Sequence, residues 1–457
     1  MTLRVGIEAL YVYVPELYVD NAELAVARGK DPKHYTEGVG IKTFSVPAPN
    51  EDQASMAATA ALRLMKVYDI SPKDVFRIDT PTESGLDGSR ALVSDVVGML
   101  EQIYGRGSFS HILGYEQKFA CVSGLERLLD TAAWFGAGWN PRKYALVLVT
   151  DIAKYNLQSK EEPTQGAAAA AILIGREPRL LEVIPSALGA ALRNEKRDFK
   201  KPGGRVIALV DGLRSYASYL SEMKEAWLNF KASVASTGLI QQKRDETILD
   251  YIDRAVYHNP HKKMVITAFA SLLMHEWRGL SRWHRIAEQI GPEPSRVGMD
   301  DLSYYMSEEY QEYRRRFMKL EEVRGIFDRK IGSAIVAPEL IGNSYAASVF
   351  VGLDSIFEND KDDLSNSKVV LCGYGSGSHA VIQANSISEG YKDAASKLDL
   401  MNRLGARRKL SIEEYERLHR NEVSIEGWPV LSERFVLTKI GERGTATEGD
   451  REYTFSD

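Results

Sequence analysis

Cysteine is almost missing from this chain: Cys121 and Cys372 are the only two among 457 residues. Two thiols make no disulfide framework in a chain of this length, and the spacings that mark thiolate or imidazole metal sites are missing, so no metal is expected. No apolar run reaches about 18 residues, which excludes a membrane-crossing helix. The opening Met1-Thr2-Leu3-Arg4-Val5-Gly6-Ile7 lacks a charged segment followed by a long apolar stretch and a small-residue cleavage site, so a cytoplasmic protein is expected. Neither charge sign dominates. A net charge of -5 with mixed signs leaves no basic face for a polyphosphate backbone, which excludes nucleic acid as a partner.

What is there is 44% apolar and 26% charged sequence, enough for a large core spread over two to three domain-sized units. Residues 4–15 read as a buried strand closed by Pro15, and Gln53 to Lys66 carries apolar residues at helical spacing. Val75 to Asp79 reads as a strand ending in the polar turn Thr80-Pro81-Thr82-Glu83, followed by a helix from about Ser89 to Tyr104. Cys121 opens a helix to Phe135, and Lys143 to Asp151 and Gly166 to Gly175 are unbroken apolar strands suited to a sheet covered on both faces.

The second half repeats this plan. Thr247 to Asp253 reads as helical, and Arg254 to Tyr257 is a short strand ending at His258, as the first half's strand ends at Glu83. Asn343-Ser344-Tyr345-Ala346-Ala347 opens a helix to Phe357, and Lys368 to Tyr374 is the strand behind it. A charged helical insertion interrupts the repeat around Glu276 to Arg329. The expectation is a duplicated α/β unit: a first half over 1–176, a second over 177–390, and a C-terminal appendage over 391–457. The appendage reads as a charged helix, Leu410 to Arg420, and a hairpin of Arg434–Ile440 against Arg451–Phe455.

Ligands of open α/β sheets sit outside strand carboxyl ends, where Glu83, Cys121, His258 and Asn343 all fall. A thiol reacts as thiolate, which a helix N-terminus stabilises, and small neighbours such as Ala120, Ser123 and Gly124 leave room for an acyl group. A packing cysteine is the competing reading; for Cys372, inside an apolar strand, packing wins. Glu83 is a helix cap or a base aimed into a cleft, and His258 is fixed at a loop mouth by Asn259-Pro260. Tyr374-Gly375-Ser376-Gly377-Ser378 is a glycine turn that exposes backbone N–H groups suited to oxyanion donation, and Lys262 and Lys263 can meet a phosphate at the cleft mouth.

Together these strings resemble the 3-hydroxy-3-methylglutaryl-CoA synthase family, in its bacterial form, within the thiolase superfamily. The resemblance runs over nearly the whole chain, through Thr82-Glu83-Ser84, Phe119-Ala120-Cys121, Thr150-Asp151-Ile152-Ala153-Lys154-Tyr155, Glu162-Pro163-Thr164-Gln165-Gly166, His258-Asn259-Pro260, Gly342-Asn343 and Tyr374-Gly375-Ser376-Gly377. It implies a five-layered αβαβα thiolase fold of two similar halves, a homodimer, acetyl-CoA and acetoacetyl-CoA as substrates with no further cofactor, and a thiolase as a metabolic partner. It also implies roles. Cys121 would carry the acetyl group, Glu83 would remove its methyl proton, and His258 would position the second substrate and donate toward the developing alkoxide, assisted by Asn343. Thr164 would touch the acyl part, a donor near Ser376 would join the Cys121 N–H in an oxyanion hole, and Lys263 would meet CoA phosphate. The product would feed mevalonate and isoprenoid synthesis.

The chain departs from the family pattern at Ala337-Pro338-Glu339-Leu340-Ile341, at Val122-Ser123, and at Arg197-Asp198-Phe199-Lys200-Lys201-Pro202, where a Trp-Arg-Pro-like segment is usual. Acceptor identity is what these differences bear on. A related condensing enzyme, decarboxylating like ketoacyl synthase III or acting on a carrier-bound ketone, is one alternative. A non-catalytic acyl-CoA-binding scaffold is another.

Overall fold

In the computed structural model, which describes residues 4–429 and 432–457, nine strands form one large sheet. In chain order they are β1 (Val5–Tyr13), β2 (Val75–Pro81), β3 (Leu113–Gln117), β4 (Tyr144–Ala153), β5 (Gly166–Arg176), β6 (Leu181–Leu192), β7 (Arg254–Tyr257), β8 (Lys368–Gly375) and β9 (His379–Ile387). Their spatial order is β7-β8-β9-β6-β1-β5-β4-β2-β3.

The duplication expected from sequence is written in this order. From the centre outward the first half runs β1, β5, β4, β2, β3, with antiparallel pairing at the first two joints and parallel pairing at the next two. The second half runs β6, β9, β8, β7 with the same senses, antiparallel twice and then parallel. The halves meet where β1 pairs with β6 over two residues only, Gly6 with Glu182 and Ile7 with Leu181.

Helices cover both faces. On the first half lie α1 (Gln53–Val67) and α2 (Val93–Tyr104); α3 (Ser123–Gly136) precedes β4. On the second half lie α4 (Gly212–Thr237) and α5 (Lys262–Trp277); α6 (Ser348–Asn359) precedes β8. The middle layer holds α3 and α6. A Cβ on Gly124 would stand 2.9 Å from the Ala346 carbonyl and 3.1 Å from the Phe350 ring, so the start of α3 presses directly on the start of α6. Outer helices, half-sheet, middle helices, half-sheet and outer helices make the five layers.

Composition explains the fit. The alanines of β5, Ala167 to Ala171, are buried on both faces and let helices approach closely. Helix α1 is alanine-rich and buried around almost its whole circumference, and Asp52 caps it in a capping box with Ser55. The core divides accordingly, one cluster joining α1, α2, α3 and α6 to the first half-sheet and a second joining α4, α5 and the insertion to β7–β9.

Local differences from the sequence reading have local causes. The helix expected from Ser89 begins at Val93, because the Asp87 carboxylate takes the N–H groups of Ser89 and Arg90 in a turn. The Thr247–Asp253 segment is a single 3-10 turn, Ile248–Tyr251. The insertion is helical, with Ser281–Ile290, Asp301–Met306, Glu308–Met318 and Glu321–Lys330. The appendage holds the helix Ile412–His419 and the hairpin of Arg434–Ile440 with Arg451–Ser456. That hairpin is fastened to α1, since Arg451 and Tyr453 both donate to Asp52 at 2.9 Å. No helix among the described residues is long and apolar enough to cross a membrane.

Candidate active site

Cys121 lies two residues ahead of α3, which begins at Ser123, so it stands in the entry turn and not within the helix. Ala120, at φ 44°, makes the sharp turn that delivers it. The thiol is 7% exposed and points at Glu83, with Sγ 2.7 Å from Oε2. Burial pushes the Cys121 thiol well up, and the neighbouring Glu83 carboxylate pushes it further. Burial likewise raises the Glu83 carboxyl to about 7, with Lys201 opposing that rise and Asp151 adding to it. The two groups therefore hold a proton between them near neutrality.

Asp151, near the end of the interior strand β4, organises the base. Its Oδ1 accepts from the Thr82 hydroxyl at 2.9 Å, the Glu83 N–H at 2.9 Å, the Ser84 N–H at 2.9 Å and the Ser84 hydroxyl at 2.7 Å. Its Oδ2 accepts the Ala346 N–H at 3.0 Å. One fully buried carboxylate thus fixes the Glu83 turn of the first half and the entry to α6 of the second. From the other side Gln53, the first residue of α1, donates to the Ser84 carbonyl at 2.6 Å.

His258 follows β7, its backbone N–H donating to the Cys372 carbonyl at 2.7 Å and its carbonyl accepting from Tyr219 at 2.8 Å. Its Nδ1 is 2.6 Å from the Ser348 hydroxyl. Burial drops the imidazole to about 3, so the ring is neutral through the physiological range. Asn343 is buried in the turn ahead of α6, donating to the Tyr155 hydroxyl at 3.3 Å and accepting the Tyr345 N–H at 2.9 Å. Tyr345 joins the two halves: it packs with Cys121, Ala153, Tyr155 and Ala208 in one small apolar cluster.

Thr164, Ser376 and Lys263, the remaining expected residues, stand in a 3-10 turn, a turn after a strand and the first turn of a helix. Thr164 donates its hydroxyl to the Glu161 carbonyl at 2.7 Å and accepts the Asn343 N–H on its own carbonyl at 3.1 Å, so it holds the Asn343 loop. Ser376 is half-buried in the turn after β8. The preceding Gly375 stands against the Phe119 carbonyl and the Val122 N–H, which sets this turn beside the Cys121 loop. Lys263 is half-buried in the first turn of α5, just past His261, whose Nδ1 accepts the Met264 N–H. Among the described residues, no group of three or more His, Cys, Asp or Glu side chains is placed to hold a metal ion.

Sequence reasoning assigned no role to Asp151, Tyr155, Tyr345, Ser348 or Lys201. For Asp151 the signal was available: a carboxylate at the end of an otherwise apolar buried strand needs partners, and five donors supply them. Lys201 gave none, because lysines in a run of mixed charge are usually solvated. Here its Nζ lies 3.9 Å from Glu83 Oε1 and 4.4 Å over the Tyr345 ring.

Comparison with known proteins matches this arrangement to one family. Residues 2–179 fit the family model described as hydroxymethylglutaryl-coenzyme A synthase N terminal, and residues 183–425 the one described as hydroxymethylglutaryl-coenzyme A synthase C terminal. A hydroxymethylglutaryl-CoA synthase of Haloferax volcanii is 31% identical over 446 residues, covering 96% of this chain and 97% of its own. The enzyme of that name from Enterococcus faecalis is 29% identical over 417 residues, covering 91% of each. Among solved structures, MvaS in complex with 3-hydroxy-3-methylglutaryl coenzyme A superposes with a TM-score of 0.84 at 29% identity over the full length of both chains. The curacin biosynthetic pathway HMG synthase, at 22% identity, TM-score 0.78 and coverage of 99% of this chain and 100% of its own, shares the fold. The two halves, the paired thiol and carboxylate, and these matches across the whole chain agree: it belongs to the hydroxymethylglutaryl-coenzyme A synthase family and has the thiolase fold.

Proposed function

We propose that this chain condenses acetyl-CoA with acetoacetyl-CoA to give 3-hydroxy-3-methylglutaryl-CoA and free CoA, through an acetyl group carried on Cys121. The observation that carries this reading is the buried contact of 2.7 Å between the Cys121 sulfur and the Glu83 carboxylate. On attack the sulfur bonds to the acetyl carbon, its proton passes to Glu83, and the CoA thiolate leaves with that proton as the free thiol. Glu83, again a carboxylate, removes a proton from the acetyl methyl. The resulting carbon nucleophile adds to the acetoacetyl ketone.

His258, neutral and buried, donates a hydrogen bond toward the developing alkoxide, with Asn343 assisting, and the proton held by Glu83 quenches it. The Cys121 N–H and a donor near Ser376 supply an oxyanion hole for the thioester carbonyl. Water then adds to the Cys121 thioester, releasing a carboxylate and regenerating the thiol. Lys263 at the mouth meets CoA phosphate, Thr164 touches the acyl part, and no cofactor beyond the thioester substrates is required. A decarboxylating condensation has no use for a carboxylate in contact with the nucleophile, so Glu83 favours the synthase.

The same reading includes a homodimer. Strand β3 is the free outer edge of the sheet and leaves Leu113 and Tyr115 exposed, a surface suited to a second copy. The setting is the cytoplasm, with a thiolase supplying acetoacetyl-CoA and the product entering mevalonate and isoprenoid synthesis. Intact-mass measurement after acetyl-CoA, then after an acetoacetyl-CoA chase, tests the chemistry: an acetyl adduct on Cys121 that the chase removes supports it, and no adduct refutes it.

A further inference from the structure

We propose that Lys201 is a positioning residue for the reaction, the cation that keeps Glu83 available as a carboxylate while the neighbouring sulfur changes its charge. The inference rests on the synthase reading and extends it to a residue outside the expected set.

Lys201 belongs to a small ribbon in which Phe199–Lys200 pairs with Leu209–Val210. Asp198 pins this ribbon to the far side of the site. Its Oδ2 accepts the Tyr374 hydroxyl at 3.1 Å and the Gly377 N–H at 3.3 Å, across the turn that holds Ser376. Tethered there, the lysine reaches inward: its side chain is 13% exposed, and its ammonium sits 4.4 Å above the Tyr345 ring and 3.9 Å from Glu83 Oε1. That carboxylate oxygen is buried and has no hydrogen bond, so the ammonium is its one counterpart among the described residues.

The surroundings make that cation consequential. Glu83 faces the Cys121 thiol, the carboxylates of Asp151 and Asp198, and the phenols of Tyr155 and Tyr345, with Lys201 opposing the acidic groups. The carboxylates of Asp151 and Asp198 disfavour a further negative charge at Glu83, whereas Lys201 and the hydrogen bond from the Cys121 thiol favour it. Two steps nevertheless place one here: the sulfur must give up its proton for attack, and Glu83 must be anionic to take the methyl proton. An ammonium held over an aromatic face, partly out of water, stabilises both states more than a solvated one does. Lys201 touches Glu83 and not the reacting atoms, so it acts through the base.

Alkylation of Cys121 by iodoacetamide as a function of pH, followed on its peptide by mass spectrometry, reads this effect without any substrate, because only the thiolate reacts. Lys201→Met is expected to move the alkylation midpoint, and the acid limb of the condensation rate, to higher pH by about one unit or more, the effect of losing a neighbouring opposite charge. Lys201→Arg is expected to restore both. An unshifted midpoint in Lys201→Met overturns the inference, as does a uniform fall in rate with an unchanged pH profile; where Lys201→Met melts early, Lys201→Gln is read the same way. Wild-type protein that acetyl-CoA fails to acetylate defeats the synthase reading alone. An unshifted alkylation midpoint in a variant of an enzyme that condenses defeats the Lys201 inference alone.

Discussion

Asp151 and Ala346 are joined across the two halves of the molecule by a hydrogen bond of 3.0 Å, from the N–H before α6 to the carboxylate near the end of β4. Because the other oxygen of Asp151 gathers the Glu83 turn, this one side chain holds the base and the His258–Asn343 side in register. Asp151→Ala takes their shared acceptor from five donors, three of them buried: the Thr82 hydroxyl and the Glu83 and Ala346 N–H groups. A stability loss of at least about 3 kcal/mol is expected from unsatisfied groups alone, with loss of condensation. Denaturant unfolding checks the first and steady-state assay the second.

Glu83 makes the folded protein less stable than it need be at neutral pH. Its carboxyl rises from 4.5 to about 7 on folding, chiefly through burial, so between those values the folded state binds more protons than the unfolded one and stability falls as pH rises. Glu83→Gln removes that cost. The variant is expected to be more stable than wild type at pH 8 by up to about 3 kcal/mol, with the difference vanishing toward pH 4.5, as melting curves across that range will show.

The same ionisation sets the rate. Condensation is expected to rise with pH through about 7 as Glu83 loses its proton, whereas His258, held near 3 by burial, contributes no step there. Nuclear magnetic resonance of the His258 ring will show no titration between pH 5 and pH 8. His258→Ala is expected to lower condensation by about 10²- to 10⁴-fold. Ser348→Ala, which frees Nδ1, is expected to cost about tenfold, the size of one hydrogen bond.

Gly166 closes the wall on which Asn343 rests. A Cβ there would stand 2.5 Å from the Ile341 carbonyl and 2.7 Å from the Asn343 carbonyl, both backbone atoms without freedom to retreat. Gly166→Ala is expected to destabilise the protein by about 1–3 kcal/mol and to lower the condensation rate more than the acetylation rate. Comparing the two partial reactions separates the displaced Asn343 from a general loss of fold.

The duplication was legible because buried strands and polar strand ends recur in the same sequence in both halves, and β7 stands at Arg254–Tyr257, the residues its pattern marks. The C-terminal hairpin was legible for the same reason of alternation and turn composition. Strand β6 was not: after Val183 it alternates exposed and buried positions on a free edge, and its small residues serve a close approach of Gly189 to α4. Within the site, Glu83, Cys121 and His258 were marked by residue type at element ends. Asp151 and Lys201 act through partners supplied by distant segments, and only the folded chain brings those together.

Mass spectrometry of Glu83→Gln, mixed first with acetyl-CoA and then with acetoacetyl-CoA, tests most directly the pairing of a sulfur that carries the acetyl group with a carboxylate that activates it. An acetyl adduct on Cys121 that forms and then persists through the second addition is the predicted result. Turnover of the adduct at the wild-type rate would contradict the assignment of Glu83, and acetylation at any residue other than Cys121 would contradict the assignment of the nucleophile.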